Sequence, residues 1–269
     1  MVKAKKALGQ HFLKDLGIAR KIADSIEPAN LPSEDAEAWG RLPVVEVGPG
    51  MGVLSQFLMQ NGRTVKAVEL DMESVEFLHK VFPDLDVVEG DFLKMNLSDL
   101  FPGEFVLIGN YPYNISSQIF FKVLDNRENI PVVSGMLQKE VAQRICCGPG
   151  SKIYGILSVL LQAWYDCKYL FDVAPGVFAP PPKVTSGVIR LTRNSRTSLG
   201  CDEAKFKLLV KTAFGQRRKT LRNSIGSLLG ADNPIMQDPI MGERPERLSV
   251  DDFIRLTRAI PGAQTENAD

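Results

Sequence analysis

Asn110, Tyr111, Pro112 and Tyr113 follow directly on the apolar run Phe105-Val106-Leu107-Ile108 and Gly109. An asparagine oxygen and neighbouring main-chain carbonyls accept hydrogen bonds from an amine, and a proline holds the backbone that carries them. The two tyrosines offer flat faces on which a planar base can stack. Taken alone, the cluster reads equally well as a strand end followed by a proline turn.

Three further stretches carry chemistry of the same kind. Gly48-Pro49-Gly50-Met51-Gly52 follows the apolar stretch Pro43-Val44-Val45-Glu46-Val47 and precedes a helical pattern, the order in which backbone passes close to a nucleotide. Glu69 ends the next apolar run, 17 residues beyond Gly52, where a carboxylate can accept both hydroxyls of a ribose. Asp91-Phe92 closes a third run and pairs an acceptor for an adenine amine with an aromatic ring to pack it. Each signal is weak by itself: a G-x-G-x-G loop also fits a plain turn, and a lone Glu69 or Asp91 also fits a helix cap or a solvated acid.

The elements that must position these residues follow from periodicity. Apolar runs at residues 43–47, 64–70, 85–89, 104–109, 131–137, 169–173 and 186–191 predict seven strands. Helical spacing covers 15–26, 53–58, 74–81, 138–146 and 154–164, whereas 28–41 shows no clear period and reads as a variable loop. Strands alternating with helices indicate an α/β fold, a mainly parallel sheet with helices on both faces. Ligands bind such sheets at the strand ends, and here four consecutive ends carry polar or glycine residues.

After about Thr192 the pattern becomes helical, over 202–229 and 249–260, with the prolines of Asn233-Pro234, Asp238-Pro239 and Arg244-Pro245 between. The predicted division is a domain of residues 1–192 and a small helical domain of 193–269, with a disordered tail from Pro261.

Charge is segregated although the net charge is zero. Glu69 to Glu104 holds ten acidic against two basic residues, a net of −8, and Lys183 to Asn223 holds eleven basic against two acidic, a net of +9. The segment to Lys21 adds six basic residues against Asp15. Basic blocks on either side of an acidic middle suit a polyanion such as nucleic acid, although charge runs also form solvated faces. Cys146, Cys147, Cys167 and Cys201 show no C-x-x-C spacing and the histidines are His11 and His79 alone, so neither a zinc site nor a Ser-His-Asp hydrolase is expected. No apolar run approaches the roughly 18 residues of a membrane span, and the basic start from Met1 to Lys6 has no apolar signal core behind it. A cytoplasmic protein without a membrane partner is expected.

At this point the sequence resembles the S-adenosylmethionine-dependent ribosomal RNA adenine dimethyltransferases. The resemblance runs nearly end to end: L-G-Q-H-F-L (8–13), E-V-G-P-G-M-G (46–52), V-E-L-D (68–71), G-D-F (90–92), N-Y-P-Y-N-I-S (110–116), M-L-Q-K-E-V (136–141), Y-G-I-L-S-V (154–159), V-F-x-P-P-P-K-V (177–184) and F-G-Q-R-R-K-T-L-R-N (214–223). Erythromycin-resistance methyltransferases share the front half, and the last two stretches look like the housekeeping small-subunit enzymes. What the resemblance implies is a Rossmann-like seven-stranded methyltransferase sheet with a small C-terminal helical domain. The implied activity is N6-dimethylation of two adjacent adenosines near the 3′ end of 16S rRNA, by a monomer without metal.

It also implies roles. Glu69, with Leu70 beside it, would hold the cofactor ribose and Asp91 with Phe92 its adenine. Gly48 and Gly50 would admit the backbone, and His11 and Leu13 would close over the methionine portion. Asn110 and Pro112 would present acceptors to the target amine, Asn110 would also contact the cofactor, and Tyr113 and Phe178 would sandwich the flipped base. Lys183, Arg217, Arg218, Lys219 and Arg222 would bind RNA. The family usually has Asn at the place of His11 and Leu at that of Tyr111. Two other classes compete: a nicotinamide-dependent oxidoreductase, which would need a G-x-G-x-x-G spacing and leaves N-Y-P-Y unexplained, and a ribosome-assembly factor without catalysis. A DNA adenine methyltransferase lacks the R-R-K-T-L-R-N block, and a large-subunit rRNA adenine is the other RNA target to weigh.

Overall fold

The computed structural model describes residues 2 and 4–263. Among them nine strands lie in chain order: β1 (Phe12–Leu13), β2 (Val44–Val47), β3 (Val65–Glu69), β4 (Asp86–Glu89), β5 (Val106–Asn110), β6 (Val132–Gln138), β7 (Tyr165–Val173), β8 (Phe178–Ala179) and β9 (Ser186–Arg193). Ten helices accompany them: α1 (Leu16–Asp24), α2 (Ala36–Gly40), α3 (Ser55–Gln60), α4 (Met72–Val81), α5 (Ser116–Asp125), α6 (Lys139–Cys146), α7 (Ile156–Gln162), α8 (Glu203–Gly215), α9 (Leu221–Leu229) and α10 (Val250–Arg258).

Seven strands form one sheet in the order β4-β3-β2-β5-β6-β9-β7. The pairs β2·β3, β2·β5, β3·β4 and β5·β6 are parallel, and β9 runs antiparallel to β6. Central strands covered on both faces read as continuous apolar runs, and β2, β5 and β6 are buried along almost their whole length. The chain order reverses beside β2, where β3 lies on one side and β5 on the other, which places a topological switch point at the glycine loop. The seven predicted strands are all present. β7 begins at Tyr165, four residues earlier than its apolar run suggests, because Tyr165–Lys168 alternate between covered and exposed residues and so form no continuous apolar run.

The residues fall into two compact units, one of the chain up to Gln143 with Asp166–Arg193, the other of Arg144–Tyr165 with the chain from Asn194. The excursion 144–165, placed by sequence in the first domain, thus packs with the C-terminal helices. Its α7 buries Leu157, Val159, Leu160 and Leu161, an apolar surface that α8 shares. Tyr154 stands edge-on to Phe214 at 6.0 Å, and Phe214 meets Phe253 of α10 at 5.8 Å. The Asn-Pro and Asp-Pro pairs of this unit start short 3-10 turns: Asn233 and Asp238 accept hydrogen bonds from the N–H groups of Ile235 and Ile240, at 3.1 and 2.8 Å. Pro261–Ala263, expected to open a disordered tail, are held in place: Ala263 is buried and its carbonyl accepts from Asp202 N–H at 2.9 Å. The remainder of that predicted tail lies outside the described residues.

In the first unit, α1 starts at Asp15, whose carboxylate accepts from Ile18 N–H at 3.0 Å, and buries Ala19, Ile22 and Ala23 against the sheet. The predicted loop 28–41 contains α2. Its Trp39 is buried in the core, and a single large apolar side chain is too little to give a readable period. α5 also escapes the sequence reading, since its apolar stripe of Ile119, Phe120, Val123 and Leu124 runs straight on from the cluster at 110–113.

Candidate active site

A cavity of about 190 Å³ opens at the C-terminal ends of β2, β3, β4 and β5, inside the first unit. It is bordered by His11, Leu13, Gly48, Gly50, Glu69, Leu70, Asp91, Phe92, Asn110, Pro112 and Tyr113, so eleven residues chosen from scattered sequence positions meet at one place.

The glycine loop leaves β2 with Gly50 at φ +57°, a conformation that L side chains rarely adopt, and a Cβ there would stand 2.9 Å from the Phe12 ring. Gly50 N–H donates to Glu69 Oε2 at 3.0 Å, and Glu69 Oε1 accepts from the N–H groups of Leu70 and Asp71, both at 2.9 Å. Three main-chain donors therefore fix the carboxylate. Burial raises its pKa above the ordinary carboxylate value, and those three hydrogen bonds pull it part of the way back.

Asp71 caps α4 and is itself 2 % exposed. Burial would raise its pKa, but hydrogen bonds from Lys5, Gln10 and Ser74 outweigh that and hold it below the ordinary value. Lys5 and Gln10 thereby tie the N-terminal segment to the β3 end of the site. The same segment is tied to the β5 end: Asn110 Nδ2 donates to the His11 carbonyl at 3.0 Å, and His11 Nδ1–H donates to the Pro180 carbonyl at 2.9 Å.

Asp91 sits at the β4 end, where its carboxylate accepts from Leu93 N–H at 3.0 Å and faces Lys94 at 3.5 Å. Phe92 beside it is buried. At the β5 end, Pro112 lies over Gly48, and the Tyr113 ring packs against the His11 ring at 5.4 Å with 33° between planes. The Tyr113 hydroxyl shares a hydrogen bond with Ser186 of β9; burial raises its pKa and that bond opposes the rise.

Tyr111 also borders the cavity, but its hydroxyl is turned into the core. It is fully buried, its hydroxyl donates to the Ser134 carbonyl at 2.8 Å, and its ring meets Phe120 edge-on at 5.7 Å. Burial drives its hydroxyl pKa far above the ordinary tyrosine value. Room for so large a ring comes from two glycines facing each other in register on β5 and β6: a Cβ on Gly135 would stand 2.6 Å from the Tyr111 ring, and one on Gly109 3.2 Å.

Phe178 is not among the residues that border the cavity. β8 pairs antiparallel with β1, placing Phe178 opposite Leu13, and its ring is 1 % exposed within the core. The basic residues lie elsewhere. Lys183 is exposed in the first unit. In the second, Arg217, Arg218 and Lys219 occupy the turn between α8 and α9, not a helix face, because the helix ends at Gly215. Arg218, Lys219 and Arg222 are exposed, whereas Arg217 is half-buried and reaches toward Glu246 at 3.8 Å.

Sequence reasoning missed Glu46, Asp71, Lys122 and Ser186 as parts of this arrangement. Glu46 and Asp71 stand inside motifs already singled out. Glu46 is 1 % exposed, borders the cavity, and its Oε2 has no hydrogen-bond partner among the described residues. Lys122 and Ser186 have no local signal, since their partners are 29 and 73 residues away.

The family model for ribosomal RNA adenine dimethylases matches residues 1–259. The chain belongs to the ribosomal RNA adenine dimethylase family. Ribosomal RNA small subunit methyltransferase A of Parabacteroides distasonis is 61% identical over 259 residues, covering 96% of this chain and 94% of that protein. The protein of the same name from Phocaeicola vulgatus is 60% identical over 272 residues, covering 100% of this chain and 94% of the other. Among solved structures, a dimethyladenosine transferase from Plasmodium falciparum superposes with a TM-score of 0.74 at 24% identity, over 91% of this chain and 96% of that one, a likeness of fold. The family's fold is thus the seven-stranded α/β sheet described above, followed by C-terminal helices.

Proposed function

We propose that this enzyme transfers methyl groups from S-adenosylmethionine to N6 of two adjacent adenosines near the 3′ end of 16S rRNA, giving N6,N6-dimethyladenosine in the small ribosomal subunit. It works as a monomer in the cytoplasm on the subunit or its precursor. No helix among the described residues is long and apolar enough to cross a membrane.

The residues of the cavity fit that cofactor. Gly50 in the left-handed region turns the loop at the β2 end and leaves room for the Phe12 ring, Glu69 presents a fixed carboxylate at the β3 end, and Glu46 Oε2 is a buried polar atom left for a ligand group. Glu69 and Leu70 would hold the ribose, Asp91 and Phe92 the adenine, with Gly48, His11 and Leu13 around the methionine portion. When bound, S-adenosylmethionine supplies an electrophilic sulfonium methyl, so the protein needs no acid-base dyad. What it must supply is alignment for in-line attack, with the target nitrogen's lone pair drawn out of conjugation.

The observation that carries this reading is the state of Asn110. Its Nδ2 donates to the His11 carbonyl, which orients the amide, and its Oδ1 is the acceptor that can take a hydrogen bond from the N6 amine. Pro112 holds the following carbonyl in place, and Tyr113, braced by Ser186, offers a face to the extruded base. Extrusion costs a few kcal/mol, and stacking of about 1 to 3 kcal/mol per base offsets much of it. Phe178 as the second face requires that its ring, 1 % exposed, leave the core. Lys183, Arg218, Lys219 and Arg222 supply cations for the RNA backbone, Arg217 less so.

Mass spectrometry of undermethylated small-subunit rRNA after incubation with protein and S-adenosylmethionine tests the proposal. Two adjacent dimethylated adenosines are expected near the 3′ end. Unmodified rRNA would favour an assembly factor without catalysis, and modification of large-subunit rRNA alone would reassign the substrate.

A further inference from the structure

α5 begins three residues beyond Tyr113, and its Lys122 reaches back across the unit to the β4 end of the cavity. There Lys122 Nζ donates to the carbonyls of Leu93, at 3.1 Å, and Met95, at 2.5 Å. It also stands 5.8 Å from the centre of the Phe92 ring.

The turn that carries Asp91 and Phe92 satisfies its own donors. The N–H groups of Lys94 and Met95 donate to the Asp91 carbonyl at 2.9 and 3.1 Å, and Leu93 N–H donates to the Asp91 carboxylate at 3.0 Å. Its Leu93 and Met95 carbonyls point instead at the lysine. A half-buried ammonium is costly to hold, so it is stabilised by what surrounds it: two carbonyl oxygens, a ring face, the nearby Asp91 charge and, on its own helix, the Asp125 charge. All of these except Asp125 are parts of one short turn. Lysine has the length and the three donors to bridge them.

We propose that Lys122 is a positioning residue for the cofactor's adenine, fixing the Asp91–Phe92 turn from the helix that springs from the Asn110–Tyr113 cluster. It touches neither the methyl group nor the target base. The inference rests on the reading of Asp91 and Phe92 as the adenine partners. Removing the ammonium would free the two carbonyls and let the turn drift, which weakens binding of the adenine without altering the geometry of methyl transfer.

The test is calorimetry of Lys122→Met, Lys122→Arg and Asp91→Ala with S-adenosylhomocysteine and with adenosine alone, beside steady-state kinetics. Losing a charged donor of this kind predicts that Lys122→Met weakens both ligands by the same factor, about tenfold. KM for S-adenosylmethionine should rise equally, while kcat and KM for RNA stay within about twofold, and Lys122→Arg should restore most of the affinity. Should Lys122→Met not fold, Lys122→Gln, which keeps one donor, carries the same measurement. If Asp91→Ala weakens adenosine and the lysine variants do not, this inference is overturned and the adenine placement stands. If Asp91→Ala also leaves adenosine unchanged, the placement falls and the inference with it.

Discussion

Asn110 and His11 are 99 residues apart in sequence and joined by one hydrogen bond, from the asparagine amide to the histidine main-chain carbonyl at 3.0 Å. Because the bond uses a backbone carbonyl, it survives the replacement of the family's usual asparagine by His11. The bond orients the amide plane of Asn110, which borders the cavity.

Asn110→Ala should fold and still bind S-adenosylhomocysteine, weakened by the loss of the His11 tie, yet lose methyl transfer at saturating cofactor by about 100-fold or more, the loss typical of removing one positioned hydrogen-bonding group at a reacting centre. Single-turnover rates on undermethylated small subunits measure this. A rate within about tenfold of the parent enzyme would remove Asn110 from the reacting centre.

Tyr111 is a packing anchor whose ring fills the space left by Gly109 and Gly135. Tyr111→Phe should cost about 1 to 3 kcal/mol, because the buried Ser134 carbonyl loses its tyrosine donor. Tyr111→Leu, the residue usual in the family, should cost about 2 to 4 kcal/mol from the cavity it leaves between those glycines. Urea unfolding followed by circular dichroism gives both values, and a neutral Tyr111→Leu would mean that the glycines close over the space.

Glu46 supplies a pH dependence of stability. Burial lifts its carboxyl from the ordinary 4.5 to about 8; Ser55 stands close and offsets part of the rise without hydrogen-bond geometry, and the Glu69 charge adds to it. The folded state then holds a proton that the unfolded state has released between those two values, so unfolding free energy falls as pH rises from about 4.5 to about 8. One proton gives a slope of at most about 1.4 kcal/mol per pH unit. The difference in unfolding free energy between the parent and Glu46→Gln should follow that slope and flatten above about pH 8; parallel curves would show that Glu46 is ionised in the fold.

The exposed cations of the second unit should bind RNA in a salt-dependent way. Replacing Arg218, Lys219 and Arg222 together by alanine should weaken RNA binding and reduce the slope of log K against log salt by up to about 3, one for each phosphate no longer neutralised. An unchanged slope would return the three to a solvated surface. Arg217 is a poorer choice for this experiment, because its substitution also removes the ion pair with Glu246.

Local signals in the sequence determined much of this protein. Seven apolar runs became the seven strands of one sheet, and the central strands, covered on both faces, are mostly apolar. Gly50, Glu69, Asp91 and Asn110 were visible because each ends or follows such a run, and parallel strands side by side bring their ends to one edge. Tertiary structure alone decided the rest. Phe178 has the ring of a stacking face, yet β8 pairs with β1 and the ring is packed in the core. Residues 144–165 look like a continuation of the α/β pattern, but the apolar faces of α7 and α8 meet and draw the excursion into the helical unit. Lys122, Ser186 and the His11 carbonyl acquire their parts only through partners far along the chain. Periodicity reports which face of an element is covered, and it carries no information on which distant residue covers it.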